Sequence, residues 1–173
     1  VSAPEPRELD SRYFDSDEYA LGRAGYAVRR RTGGPDEGWH VKGPRDAEGA
    51  RVELHWPLGA EGEIPDAVTA AVAHVSVSRL TFIARILNNR TASYLLDDAG
   101  GVVAEFVDDR VTATDVRRGT SASWREWEFE LGPAAPTDAT GRSRLLSAAT
   151  EAVAAVGGRI AASDSKLGRT LGL

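Results

Sequence analysis

The chain has 173 residues, 42% of them hydrophobic and 27% charged, with a formal net charge of −5. That length suits one domain with a sizeable core, and the composition lies far from the apolar-poor, charge-rich signature of disorder. The absence of cysteine excludes disulfides, thiolate nucleophiles and Cys-ligated zinc or iron–sulfur sites, and the acidic balance argues against a nonspecific nucleic-acid or anionic-membrane partner.

His40, His55 and His74 show no HExxH or paired spacing, so a metal here would be held by oxygen. There is no signal-peptide pattern and no apolar run near the ~20 residues of a membrane span, which makes the cytoplasm the default expectation. The chain begins at Val1 and contains no methionine, as a processed or truncated chain would.

In chain order, Asp10–Asp15 and Gly25–Thr32 read as strands, with Tyr13, Phe14, Tyr26 and Val28 supplying aromatic and β-branched residues and Gly22 and Gly25 marking the turn between them. The cluster Gly33-Gly34-Pro35-Asp36-Glu37-Gly38 has hairpin composition and leads into a strand over Trp39–Lys42. A polar Gly/Asp/Glu loop precedes another strand, Arg51–Leu58. Pro65–Val75 carries a helical stripe, with Pro65 in a first turn. Ile83–Leu96 and Val102–Thr112 are strands joined by Asp97-Asp98-Ala99-Gly100-Gly101, and Trp124–Leu131 is the clearest strand. A helix over Arg142–Val156, apolar at Leu145, Leu146, Ala149, Val153 and Val156, stops at Gly157-Gly158, and Ser163–Leu171 suits a short capped helix. About seven strands with few helical crossovers predict an antiparallel α+β domain spanning 1–173.

Alternation along a strand puts Glu126, Glu128 and Glu130 on one face and Trp127, Phe129 and Leu131 on the other. It also groups Arg29 with Arg31, His40 with Lys42, Arg51 with Glu53 and His55, and Glu105 with Asp109. Any one such stripe is ordinary for a sheet wet on one side. Three glutamates in register repel one another unless cations lie nearby, however, and neighbouring strands offer Arg29, Arg31, Lys42 and Arg51. A closed barrel with a polar lumen would reconcile these stripes and would suit a polyanion, with Arg forks on phosphate oxygens and carboxylates on a hard cation. Trp39, Trp56 and Trp127 read as packing residues. A lipocalin-like barrel for apolar ligands would instead require hydrophobic lumen positions.

The ordered run Tyr13-Phe14-Asp15-Ser16, Ala27-Val28-Arg29-Arg30-Arg31-Thr32-Gly33-Gly34 and Gly38-Trp39-His40-Val41-Lys42-Gly43-Pro44 resembles the first half of bacterial CYTH domains, the triphosphate tunnel superfamily. Arg51, Glu53, Arg90, Val107-Asp108-Asp109-Arg110-Val111, Glu126-x-Glu128-x-Glu130 and Ser165-Lys166 extend the resemblance along nearly the whole chain. It implies an eight-stranded antiparallel β-tunnel with flanking helices, about seven strands of which are present here. It also implies a triphosphate or polyphosphate ligand and Mg²⁺ or Mn²⁺ as the metal. Carried over by position, Arg29, Arg31, Lys42, Arg51, Arg90 and Lys166 are phosphate ligands, Glu126, Glu128, Glu130 and Asp109 form the metal side, and Glu53 and Glu105 are weaker candidates.

Family activities include inorganic triphosphatase, thiamine triphosphatase and adenylate cyclase. The implied function is therefore metal-dependent hydrolysis of an inorganic or organic triphosphate, with noncatalytic polyphosphate binding as the alternative. One family feature has no counterpart: the opening Glu-x-Glu-x-Lys strand, which Glu5-Pro6-Arg7-Glu8 does not match. Hydrolysis is accordingly expected where a longer chain supplies that strand. Many relatives continue into a helical CHAD domain where this sequence stops, so such a domain is a further expectation for the parent chain.

Overall fold

A computed structural model describes residues 1–46, 51–163 and 165–172. Its elements follow the order β1 (Glu5–Asp15), α1 (Ala20–Arg23), β2 (Ala27–Thr32), β3 (Gly38–Arg45), β4 (Arg51–Trp56), α2 (Asp66–Val72), β5 (Thr81–Leu96), β6 (Val102–Asp115), β7 (Thr120–Leu131), α3 (Ala139–Ala155) and α4 (Lys166–Leu171). The seven strands form one antiparallel sheet in the order β4-β3-β2-β1-β5-β6-β7. Among the described residues β4 and β7 stand at the two ends of the strand order, and the expected antiparallel α+β fold with flanking helices stands.

Several boundaries differ from the sequence expectation, each for a local reason. β1 starts at Glu5 rather than Asp10. Its pairing with β2 begins only at Asp10↔Thr32, so Pro6 lies where no β2 partner needs its missing N–H, and the Ser2 amide already donates to the Tyr94 carbonyl at 2.8 Å. The Gly22–Gly25 turn contains a single helical turn, α1, organised by Asp15. That buried carboxylate accepts from the amides of Ser16, Leu21 and Gly22 at 2.7, 2.9 and 2.9 Å, which makes it structural. β4 ends at Trp56 because Pro57 cannot continue the ladder. Pro65 is the N-cap of α2 rather than a residue of its first turn. The loop expected before Arg51 falls, at 47–50, outside the described residues.

The described residues group into two compact units, to which β1, β5, β6 and β7 each contribute on both sides. One comprises Glu8–Leu87, Thr112–Ala122 and Ser165–Leu173. Its core joins Leu21, Val28, Trp39, Val41, Val68, Val72 and Leu80, with Phe14, Tyr26, Trp56 and Ile64 packed against them. Phe14 is paired with Val28, Val28 with Val41 and Trp39 with Trp56, so this core lies on a single face of β1–β4. Full burial of such side chains contributes roughly 1.5–3 kcal/mol each. Trp39 and Trp56 are therefore packing residues, as the sequence suggested. The expected terminal helix is α4, whose Ser165 hydroxyl accepts from the Gly168 amide at 2.9 Å.

The other unit comprises Val1–Arg7, Asn88–Val111 and Ser123–Asp164. On one face of β6 and β7, Arg125 makes two 2.7 Å bonds to Asp108 and lies 5.0 Å over the Trp127 ring, which tilts against Phe106. α3 begins three residues before the expected Arg142, where Asp138 caps the Gly141 amide. Its predicted apolar stripe is only half-buried: Leu145, Ala149 and Val153 are partly covered, whereas Leu146 and Val156 are exposed. Among the described residues, no helix is long and apolar enough to cross a membrane.

Candidate functional site

The sheet face opposite the apolar core of β1–β4 is ionic. Register pairs Ser11 with Arg31, Tyr13 with Arg29, Arg29 with His40, His40 with His55 and Lys42 with Glu53, and directly opposed residues share a face. The expected grouping of Arg29 and Arg31 is thus realised, with His40 and Lys42 on the same side. Arg29 is nearly enclosed, its side chain 9% exposed. Its Nε is buried without a hydrogen-bond acceptor among the described residues, and its Nη2 stands 3.7 Å from Asp36 Oδ2, beyond bonding distance. Arg31 Nη1 donates to the same oxygen at 2.7 Å, and Arg31 Nε donates to the Ser11 hydroxyl at 3.2 Å.

Asp36 reaches this position from the glycine-rich β2–β3 turn. Gly33 adopts φ 79°, and a Cβ there would come within 2.0 Å of the Glu8 carbonyl oxygen. The turn is also pinned by two imidazoles: His40 Nε2 donates to the Asp36 carbonyl at 2.8 Å and His55 Nε2 to the Glu37 carbonyl at 3.0 Å. The rings lie 4.8 Å apart. Burial, reinforced by the Arg29 charge, pushes the His40 pKa down to about 4, so this ring is neutral at physiological pH. Burial acts to raise the Asp36 pKa, but the charges of Arg31 and Arg29 outweigh it and hold the carboxyl below its ordinary range.

A second cluster forms in the other unit. Arg90 on β5 donates to both oxygens of Asp109 on β6 at 2.8 and 2.7 Å, and to Glu128 on β7 at 2.9 Å. Asp109 is fully buried. Burial acts to lower the Arg90 pKa, yet the bonded Asp109 and the charges of Glu128 and Glu105 raise it, so the guanidinium stays charged. Asp109, Glu126 and Glu128 each present a carboxylate oxygen within 4.8 Å of the others.

Three such oxygens suit a hard cation, which takes oxygen ligands at about 2.0–2.6 Å. A donor set of three carboxylates fits Mg²⁺ or Mn²⁺, which favour oxygen ligands. Glu126 also accepts from the Trp124 indole.

The remaining candidates have partners of their own or lie at element ends. Glu130 is exposed and is not part of the three-carboxylate cluster. Glu105 accepts from Arg7 Nη1 at 3.1 Å, and Glu53 accepts from Lys42 at 3.0 Å. Arg51 stands opposite Arg45 at the start of β4, beyond a β-bulge, and Lys166 is the first residue of α4. Three residues absent from the sequence candidates emerge: Asp36, His40 and Arg7. Arg7, its side chain 9% exposed, also reaches Glu5 and the Tyr94 hydroxyl. Alternation already placed His40 beside Lys42, but nothing in the sequence showed the turn folding Asp36 back onto Arg31.

The antiparallel sheet with flanking helices, one ionic face and a three-carboxylate cluster defines a class before any relative is considered. The CYTH domain family model matches residues 1–138, and the chain belongs to the CYTH domain family. Uncharacterised proteins from two strains of Mycobacterium tuberculosis are each 36% identical over 181 aligned residues, covering 96% of this chain and 34% of their own. The chain thus spans about a third of the length of these curated relatives.

Two solved structures share the fold. One is a Bacillus halodurans protein provisionally named an adenylate cyclase, with TM-score 0.58 and 18% identity over 95% of this chain and 82% of that one. The other is a Pyrococcus horikoshii protein, with TM-score 0.55 and 14% identity over 98% of this chain and 87% of that one.

Proposed function

We propose that this chain binds a triphosphate or longer polyphosphate in conjunction with Mg²⁺ or Mn²⁺, and that its parent protein hydrolyses the terminal phosphoanhydride. The observation that carries this reading is Arg29, a nearly enclosed guanidinium with an unmatched Nε, beside Arg31 on the ionic face of the sheet. A buried guanidinium requires an anion, and its planar fork matches phosphate oxygens. In this reading Arg29 and Arg31 bind phosphate, with Lys42, Arg51, Arg90 and Lys166 as further cationic ligands. Asp109, Glu126 and Glu128 hold the cation, with Glu130 outside that group.

The bound cation would supply Lewis-acid charge neutralisation to the phosphate oxygens. The chain's own residues orient the phosphates and offset their charge, which is most of what phosphoryl transfer asks of a protein. Membership of the CYTH family supports polyphosphate chemistry in general. Placement in the cytoplasm, and a CHAD domain in the parent chain, complete the reading.

A second reading, a noncatalytic polyphosphate-binding module, is favoured by Arg90. Its bonds to Asp109 and Glu128 offset the charge with which those carboxylates would attract a cation. The test is incubation of the purified protein with tripolyphosphate and Mg²⁺ or Mn²⁺. Release of inorganic phosphate that requires the metal supports the hydrolase. Saturable binding without release supports the module, and no binding removes both.

A further inference from the structure

We propose that the Asp36 carboxylate is an internal counter-anion for Arg29 and Arg31, which a phosphate-bearing ligand must displace, so that Asp36 sets the charge threshold of the site. This rests on Arg29 and Arg31 being phosphate ligands. A single oxygen, Asp36 Oδ2, stands 2.7 Å from Arg31 Nη1 and 3.7 Å from Arg29 Nη2. It therefore occupies the place where an anion would contact both guanidiniums. Arg29, whose buried Nε has no hydrogen-bond acceptor among the described residues, keeps donor capacity that Asp36 does not use. Asp36 satisfies Arg31 and leaves Arg29 for a larger, more highly charged anion.

The geometry also shows what moves. The turn backbone is held, since its Asp36 and Glu37 carbonyls are bonded to His40 and His55. At Gly38, with φ 146°, an added Cβ would lie within 2.3 Å of the His55 ring and the Trp56 carbonyl oxygen. The Asp36 Cα thus stays in place, and displacement needs only rotation about the two side-chain torsions. That side chain is 47% exposed, so water is available to receive the carboxylate once it leaves Arg31.

A single small anion such as sulfate brings at most two charges to guanidiniums that already face the tethered carboxylate, and it must first release that carboxylate. A polyphosphate brings several charges at once. Asp36 accordingly rejects single small anions such as sulfate and admits chains of phosphate, at the cost of some affinity for the latter.

The test compares wild type with Asp36→Asn, Asp36→Ser and Asp36→Glu, with folding checked by circular dichroism. Calorimetric titration with tripolyphosphate and thermal shift in inorganic sulfate are run at fixed ionic strength. Asp36→Asn and Asp36→Ser are expected to bind tripolyphosphate at least tenfold more tightly than wild type and to gain sulfate stabilisation that wild type lacks. Asp36→Glu is expected to remain near wild type. Equal or weaker tripolyphosphate binding by Asn and Ser variants, with an unchanged sulfate response, overturns the proposal and makes Asp36 an orienting partner of Arg31. If no protein binds tripolyphosphate while sulfate stabilises only the Asn and Ser variants, Asp36 keeps its role and the triphosphate reading falls. If neither probe acts on any protein, both fall.

Discussion

Removing the Arg90 guanidinium tests the carboxylate cluster directly. Arg90→Ala takes away two bonds to Asp109, at 2.8 and 2.7 Å, and one to Glu128 at 2.9 Å. Glu128 is about one-third exposed and can rehydrate, whereas Asp109 is wholly buried and cannot. Deleting one partner of a buried pair costs about 3–5 kcal/mol, chiefly because the remaining charge is uncompensated. In a chain of this size each kcal/mol corresponds to about 2–4 °C, so the metal-free variant should melt roughly 6–20 °C below wild type. The same deletion leaves Asp109 and Glu128, two of the three clustered carboxylates, without the guanidinium they share. A divalent cation should then bind more tightly than in wild type, adding about 2.7 kcal/mol at a hundredfold excess over its dissociation constant and recovering roughly 5–10 °C. Differential scanning fluorimetry in chelator and in Mg²⁺ or Mn²⁺ measures both effects. A variant that melts like wild type, or gains no more from the metal than wild type does, refutes the reasoning.

Arg29→Ala or Arg31→Ala should weaken tripolyphosphate binding by ~1.5–3 kcal/mol, the usual scale for a hydrogen bond to a charged group, and calorimetry showing unchanged affinity in both variants would remove them from the site. Glu128→Gln, made in a full-length parent with metal-dependent hydrolysis, should slow turnover at least tenfold, or ~1.4 kcal/mol of transition-state stabilisation, whereas unaltered turnover and metal requirement would exclude it from the cation site. His40, with its pKa pushed down to about 4, binds fewer protons folded than unfolded between that value and the ordinary 6.5. Its contribution to stability is therefore lost as pH falls through that window, by about 2 kcal/mol between pH 7 and pH 5. Urea unfolding should show a flatter profile over that range for His40→Gln, and a parallel profile would contradict the assignment.

Features that depend on local periodicity are legible in the order of residues alone. The two-residue alternation of a strand puts Glu126 with Glu128, and Arg29 with Arg31, on common faces, and Ser163–Leu171 suits a short capped helix. Turn chemistry locates the β2–β3 hairpin at Gly33–Gly38. Boundaries are less legible where partners decide them: β1 reaches back to Glu5 because of its pairing near Tyr94, and α3 buries little of its stripe despite a helical pattern.

Which groups meet across the sheet is decided by tertiary structure alone. Arg90 finds Asp109 nineteen residues away and Glu128 thirty-eight residues away, because β5, β6 and β7 are neighbours in the sheet. The same register gathers Asp109, Glu126 and Glu128 and leaves out Glu130, although alternation gives all three glutamates one face. Asp36 meets Arg31 only because the turn, fixed by His40 and His55, carries it back along β2. Backbone geometry repeats every two or 3.6 residues and is written into the order of residue types. Strand order and register arise from burial shared by distant segments, and no short stretch of this chain encodes them.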